Sequence, residues 1–267
     1  MPLARCETRA MLQRFLDYST RLTESLAAHP DVIGLVLVGS TADTARVDEW
    51  SDHDFFVVTK PGTAEALRQD LSWVPDFDQI ALSPRETAHG LKVIFEDGRV
   101  LEFAVFNDEE LELAGANAYT VAVDKTNITE RMAAIAARSI PKPLDVDTEL
   151  QLFLAQVLIG VGRARRGEVL IAGQHIRSWA LEKAIGLLRL WVAPLPGTES
   201  KEDNLSRYRR FELQYPELGA ELEALLQQPV EAAARGLMHL VQTHGEGHLT
   251  EQQLHGFYVI RHRLEWV

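Results

Sequence analysis

Apolar residues at Met11, Phe15, Leu16, Leu22 and Leu26 recur near helical spacing and predict an amphipathic helix over roughly residues 5–28. His29-Pro30 ends it, because the residue before a proline is pushed out of helical geometry. DVIGLVLVGS (31–40) reads as a buried strand running into a turn, and HDFFVVTK (53–60) as a second strand closed by Pro61-Gly62. TAEALRQDLSW (63–73) predicts a short helix and FDQIALS (77–83) a strand. In LKVIFEDGRVLEFAVFN (91–107), two alternating runs flank Asp97-Gly98, a dipeptide that accepts the positive φ of a tight hairpin turn. AYTVAVDK (118–125) is a further strand.

The pattern then changes. IPKPLDVD (140–147) holds two prolines without helical periodicity and predicts a linker. Residues 148–267 carry no convincing strand and predict helices at about 148–165, 173–193, 203–228, 230–243 and 250–265, punctuated by APLPG (193–197) and QQP (227–229). The expected fold is therefore α/β (α+β). A mixed-sheet domain over 1–140 precedes an all-helical bundle domain over 146–267.

Charge narrows the function. The 267 residues hold 39 acidic against 27 basic side chains, a formal net charge of −12. Such a surface disfavours nucleic acid, which selects a basic footprint, and would draw in a cationic small molecule. Cys6 is the single cysteine, which excludes an internal disulfide and a cysteine zinc cluster. The first residues, MPLARCETRAMLQRF, lack a signal-type apolar core, and the longest apolar stretch, Val32–Val38, is too short to cross a bilayer. A cytoplasmic protein without membrane contact is expected.

The segment VGSTADTARVDEWSDHDFFVV (38–58) carries the candidate chemistry. A buried strand delivers Gly39-Ser40, and eleven residues separate Ser40 from Asp52-His53-Asp54 at the start of the next strand. Alternation along a strand puts Asp52 and Asp54 on one face and His53 on the other. Two neighbouring carboxylates repel unless a cation lies between them, and Mg²⁺ with oxygen ligands and substrate phosphates suits such a pair. Gly39 would let the backbone approach a phosphate, and Ser40 could donate its N–H and hydroxyl to phosphate oxygens. Glu102 is an acid among apolar neighbours in the strand Val100–Phe106. Its burial would demand a partner, which Asp52 and Asp54 with a metal would supply.

Gly-Ser, a spacer, Asp-x-Asp at a strand start and a later strand acid resemble the polymerase-β-like nucleotidyltransferase superfamily over about residues 30–125. The mixed domain followed by a helical one looks most like the antibiotic nucleotidyltransferases of the aminoglycoside and lincosamide type. TVAVDKTN and RYRRFELQYPEL (207–218) are similar to segments of that group. His53 departs from the pattern, which more often has an apolar residue there. The resemblance implies that Asp52, Asp54 and Glu102 bind Mg²⁺, with Glu102 as third ligand or as general base. Gly39 and Ser40 would hold the β- and γ-phosphates, and Lys183 would reach the triphosphate from the helical domain. The implied reaction transfers a nucleoside monophosphate, AMP from ATP first among the options, to a hydroxyl of a small, aminoglycoside-like, cationic acceptor. Nucleotidylation of a protein or RNA and non-catalytic nucleotide binding are the alternatives.

Each feature has a plainer reading. Glu102 could be a structural acid paired with Arg99 or Lys92, Lys183 a snorkelling surface lysine, and Arg209-Arg210 a solvated face rather than a phosphate site. Asp43, Asp48 and Glu49 could favour a cationic acceptor or form an ordinary exposed loop. His239, His244, His248, His255 and His262 lack zinc-motif spacing, since Gly245 and Gly247 interrupt THGEGHLT.

Overall fold

The computed structural model describes residues 2–139, 143–198, 203 and 205–266, which form two compact units, Met1–Ile140 and Pro141–Val267. The first opens with helix α1 (Pro2–Ala28) and strand β1 (Val32–Val38), followed by a short turn of helix, α2 (Gly39–Ala42). Strand β2 (His53–Thr59), helix α3 (Ala64–Gln69) and strands β3 (Ile80–Leu82), β4 (Gly90–Phe95), β5 (Val100–Asn107) and β6 (Tyr119–Asp124) follow, and helix α4 (Ile128–Arg138) closes the unit. The six strands form one mixed sheet in the order β3-β4-β5-β2-β1-β6, antiparallel except where β2 runs parallel to β5.

Alternation assigns the two faces. Phe55 and Val57 of β2, with Leu101, Phe103 and Val105 of β5, pack beneath Tyr18, Leu22 and Leu26 of α1 and Trp73. Val58, Phe106 and Val36 face the other way, against Ile128, Met132 and Ile135 of α4. The hairpin between β4 and β5 turns at Asp97-Gly98, with Gly98 at φ 84° as the turn chemistry requires.

Two expectations about elements need correction here. The span 77–83 is largely not strand: Phe77–Gln79 is a 3₁₀ turn, and only Ile80–Leu82 pairs, at the sheet edge. Helix α4 falls where the sequence reading assigned nothing. Its apolar spacing at 128, 132 and 135 is helical, but Asn127, directly before it, makes no side-chain cap hydrogen bond. The carboxylate of Asp124 instead reaches forward and accepts from the N–H groups of Thr126, Ile128 and Thr129 and from the Thr129 hydroxyl. These bonds, the Thr129 hydroxyl first, hold the Asp124 carboxyl down to about 2. The Asp124-Lys125 pair that resembles the antibiotic enzymes is thus used structurally, with Lys125 Nζ donating to the His29 carbonyl.

The second unit is helical among the described residues. Helix α5 (Val146–Arg165) begins at Asp145, whose side chain accepts from the Asp147 and Thr148 N–H groups. Helix α6 (Val169–Gln174) passes through a π turn (His175–Ala180) into helix α7 (Leu181–Trp191), a continuous run that starts four residues before the predicted 173. The helix expected over 203–228 is not continuous. Described residues of 203–210 are irregular, Arg210 has φ 59°, and two helices follow, α8 (Phe211–Gln214) and α9 (Pro216–Leu226). Pro216 explains the break, since it forces Tyr215 out of helical geometry. Helices α10 (Val230–His244) and α11 (Glu251–Leu264) complete the unit, whose core gathers Phe153, Val157, Leu187, Leu237 and Phe257. The predicted linker falls partly on residues 140–142, outside the described residues. No helix of the described residues is long and apolar enough to cross a membrane.

Candidate active site

Strand β1 ends at Val38, and the chain turns at Gly39 with φ 59°, a left-handed conformation that disfavours any side chain. A Cβ there would lie 2.4 Å from Oδ2 of Asp54. Gly39 is therefore the residue that lets the turn pass against the carboxylate. The turn is tied to the opposite strand twice. The Ser40 hydroxyl donates to the Asp52 carbonyl at 3.0 Å, and the Asp54 N–H donates to Thr41 Oγ1 at 3.0 Å. Ser40 thus spends its hydroxyl on the strand in this structure, where the sequence reading aimed it at phosphate.

The parallel pairing of β2 with β5 sets Asp54 opposite Glu102. Both belong to the face that carries Phe56, Ala104 and Phe106, so their side chains converge. Asp52, Asp54 and Glu102 each bring a carboxylate oxygen to within 4.8 Å of the others, the one such group of potential metal ligands among the described residues. Three carboxylates this close repel, and the hard oxygen set fits a divalent cation such as Mg²⁺. The histidines of the helical unit form no such group; His248 stacks on Trp191, and Tyr258 lies between His255 and His262.

Glu102 differs from expectation. Its side chain is 47% exposed, so the argument from the cost of burial does not apply. Lys92, its neighbour on β4, lies 3.7 Å away and also pairs with Glu86 at 2.9 Å, while Arg99 pairs with Asp76 and Asp97 instead. The apolar stripe in the sequence belongs to the opposite face of β5: Leu101, Phe103 and Val105 are buried, and Glu102 alternates with them. Glu86, and then Glu102, hold the Lys92 ammonium above its ordinary range. Lys92 thus supplies positive charge where a metal would. Lys92→Met is expected to tighten divalent-cation binding about two- to fivefold, the range of an exposed ion pair. A Mn²⁺ titration of both proteins reads this, and equal or weaker binding in the variant would show that Lys92 does not oppose the metal.

A cavity of about 200 Å³ adjoins the group, lined by Asp54, Glu102, Phe56, Ala104 and the Glu86-Thr87 loop. It lies on the open side of Glu102. The first unit has the mixed sheet with flanking helices that the sequence pattern implies. Comparison with known proteins adds distant likenesses. No family model matches the chain, and no curated protein matches it. An aminoglycoside 6-adenyltransferase from Bacillus subtilis is similar at 12% identity and a TM-score of 0.36, over 85% of this chain and 87% of that one. A nucleotidyltransferase-like protein from Exiguobacterium sibiricum is similar at 15% identity and a TM-score of 0.33, over 86% and 77%. A chain of the CdnC:HORMA-deltaN complex of E. coli follows at 16% identity and 0.34, over 94% and 90%.

His53 faces away from the carboxylates, as alternation requires. It is 3% exposed, stacks on Phe15 at 3.9 Å between ring centroids, and shares a hydrogen bond between Nε2 and the Phe15 carbonyl at 3.2 Å. Burial pushes its pKa down to about 4, against the opposing hydrogen bond and with the Arg99 charge adding to the drop. The unfolded chain takes up this proton near pH 6.5. Stability from a neutral His53 is therefore complete above that pH and is lost as pH falls towards 4, by about 3 kcal/mol between pH 7 and pH 4. Urea unfolding of the parent and of His53→Phe at the two pH values tests this. The variant should lose about 3 kcal/mol less than the parent on acidification, and equal losses would contradict a buried neutral imidazole.

The other candidates are engaged locally. Lys183 lies 3.6 Å from Glu149, a buried acid that also pairs with Arg207. Arg209 and Arg210 flank the buried Asp203. Asp43 pairs with Arg46, and Asp48 accepts from the Trp50 N–H and the Ser51 hydroxyl. The sequence reading did not find Lys92 as the counter-charge of the site; the hairpin register that sets Lys92 opposite Glu102 was the available signal.

Proposed function

We propose that the protein is a Mg²⁺-dependent nucleotidyltransferase that moves a nucleoside monophosphate, AMP from ATP, onto a hydroxyl of a small molecule in the cytoplasm. The observation that carries this reading is the convergence of Asp52, Asp54 and Glu102 beside a glycine turn that no side chain could occupy. These three residues would hold Mg²⁺, which when bound offsets their repulsion and clamps the triphosphate for in-line displacement. Gly39 and Ser40 present backbone to the β- and γ-phosphates. Glu102, the most exposed of the three acids and open to the cavity, takes the proton of the acceptor hydroxyl. The acceptor oxygen then forms a bond to the α-phosphorus as the bond to pyrophosphate breaks, and the proton stays on the Glu102 carboxylate. In this reading residues 1–140 form the catalytic domain and residues 146–267 bind substrate.

The acceptor class we favour is an aminoglycoside-like amine-bearing sugar. The net charge of −12 and Glu86 at the cavity both suit a cation. Pyrophosphate release measured with each of the four nucleoside triphosphates, across aminoglycosides, lincosamides and neutral sugars, tests the proposal. Release should require Mg²⁺, prefer ATP and depend on an amine-bearing acceptor. Saturable nucleotide binding with no release for any acceptor would instead mark a binding module.

A further inference from the structure

Asp52 and Asp54 stand where strand pairing gives out. The β1–β2 ladder ends at the pair Val38 and Asp54, and β2 itself begins at His53, so Asp52 belongs to no ladder. No residue between Thr41 and His53 is buried, so the connection that delivers Asp52 has no anchor of its own in the core. Two carboxylates that repel one another at the start of a strand need their backbone fixed if they are to meet one cation.

Two hydroxyls fix it. The Ser40 hydroxyl donates to the Asp52 carbonyl at 3.0 Å, and Thr41 Oγ1 accepts from the Asp54 N–H at 3.0 Å. These backbone atoms belong to the two peptide units that flank His53. They emerge on one edge of β2, the edge that β1 leaves open after Val38. The hydroxyls thus continue the ladder from side chains. A peptide unit is planar, so holding one of its polar atoms orients the whole unit and the Cα–Cβ bonds beside it. The His53 ring is held on the opposite face by its stack on Phe15, and the hydroxyls hold the peptide on either side. Thr41 is 4% exposed, so little water competes for its bond. Ser40 has one hydroxyl proton, and a proton given to the Asp52 carbonyl is not available to a phosphate.

We propose that Ser40 and Thr41 are positioning residues, whose hydroxyls clip the backbone on both sides of His53 and so preset the Asp52 and Asp54 carboxylates for a divalent cation. The Ser40 hydroxyl serves the strand, and only the backbone of the turn is left for phosphate. This inference rests on the reading of Asp52, Asp54 and Glu102 as the cation site. It adds that the site's affinity is set by two uncharged side chains that do not touch the cation.

Mn²⁺ titration of the full chain without nucleotide, followed by the paramagnetic resonance of free Mn²⁺, tests the assignment. Thr41→Val keeps the branched shape and removes the acceptor, and Ser40→Ala removes the donor. Each should weaken Mn²⁺ on the order of tenfold, the low end for a partner that acts through a metal ligand. Thr41→Ser and Ser40→Thr keep the hydroxyl and should stay within about twofold of the parent. Urea unfolding of the same samples shows that each variant is folded. Should Thr41→Val not fold, Ser40→Ala at its half-buried position carries the test. Parent-like Mn²⁺ affinity in folded Ser40→Ala and Thr41→Val overturns the proposal. So does an equal loss in the hydroxyl-keeping variants, which would make the effect one of packing. A Ser40→Ala variant that binds Mn²⁺ as the parent does, and loses affinity only when a non-hydrolysable ATP analogue is added, overturns the Ser40 assignment and returns its hydroxyl to phosphate. Failure of the cation reading itself is seen separately, as absence of saturable Mn²⁺ binding in the parent, and the proposal falls with it.

Discussion

Asp54→Asn is expected to fold as the parent does and to lose at least about 10³-fold in Mg²⁺-dependent turnover. The substitution keeps shape and volume. The anchor that places residue 54 is its own N–H on Thr41 Oγ1, which asparagine retains. What disappears is one of three charges converging within 4.8 Å, and with it the reason for a divalent cation to sit there. Asp52→Asn should behave alike, since Asp52 shares the face and its carbonyl still receives the Ser40 hydroxyl. Pyrophosphate release alongside circular dichroism separates chemistry from folding. A variant that folds and keeps more than about a tenth of the parent rate would remove that aspartate from the metal site.

Gly39→Ala should lose on the order of 10²-fold in turnover by geometry alone. The new Cβ would stand 2.4 Å from Asp54 Oδ2, closer than real contacts allow, and the residue would be held at φ 59°. The left-handed conformation costs an L-residue about 1–2 kcal/mol, a modest stability effect. The larger consequence is that the Asp54 carboxylate must move, and displacement of a reacting group by about 1 Å costs on the order of 10²-fold in rate. The expected pattern is a turnover drop of that size with an unfolding midpoint lowered by only a few degrees. Parent-like turnover would show that the carboxylate position seen here is not the one chemistry requires.

Much of this site was legible in the chain because it depends on short-range regularities. Alternation alone separates Asp52 and Asp54 from His53, and the structure keeps that separation, with His53 stacked beneath α1. Gly39-Ser40 at the end of a buried strand is equally local. Glu102 lies in the site without the burial that its apolar sequence neighbours imply. Its immediate neighbours Leu101 and Phe103 face the opposite side of β5, and its relation to Asp54 comes from parallel pairing across 48 residues, which local pattern does not encode. Lys92 was weighed as a structural partner but not as the site's counter-charge, because that role depends on the register of the β4–β5 hairpin. Helix α4 was missed because its cap, Asp124, lies four residues before its first residue. The helix expected over 203–228 failed at a residue type that carried the warning, Pro216.

The central claim is that Asp52, Asp54 and Glu102 together hold a divalent cation at the point where a nucleotide is cleaved. The most direct test is crystallographic: anomalous diffraction from crystals soaked with Mn²⁺ and a non-hydrolysable ATP analogue. The account predicts a manganese peak bounded by the three carboxylates, with the analogue's phosphates on the same peak and beside Gly39. A peak elsewhere, or an analogue bound away from these residues, would contradict it.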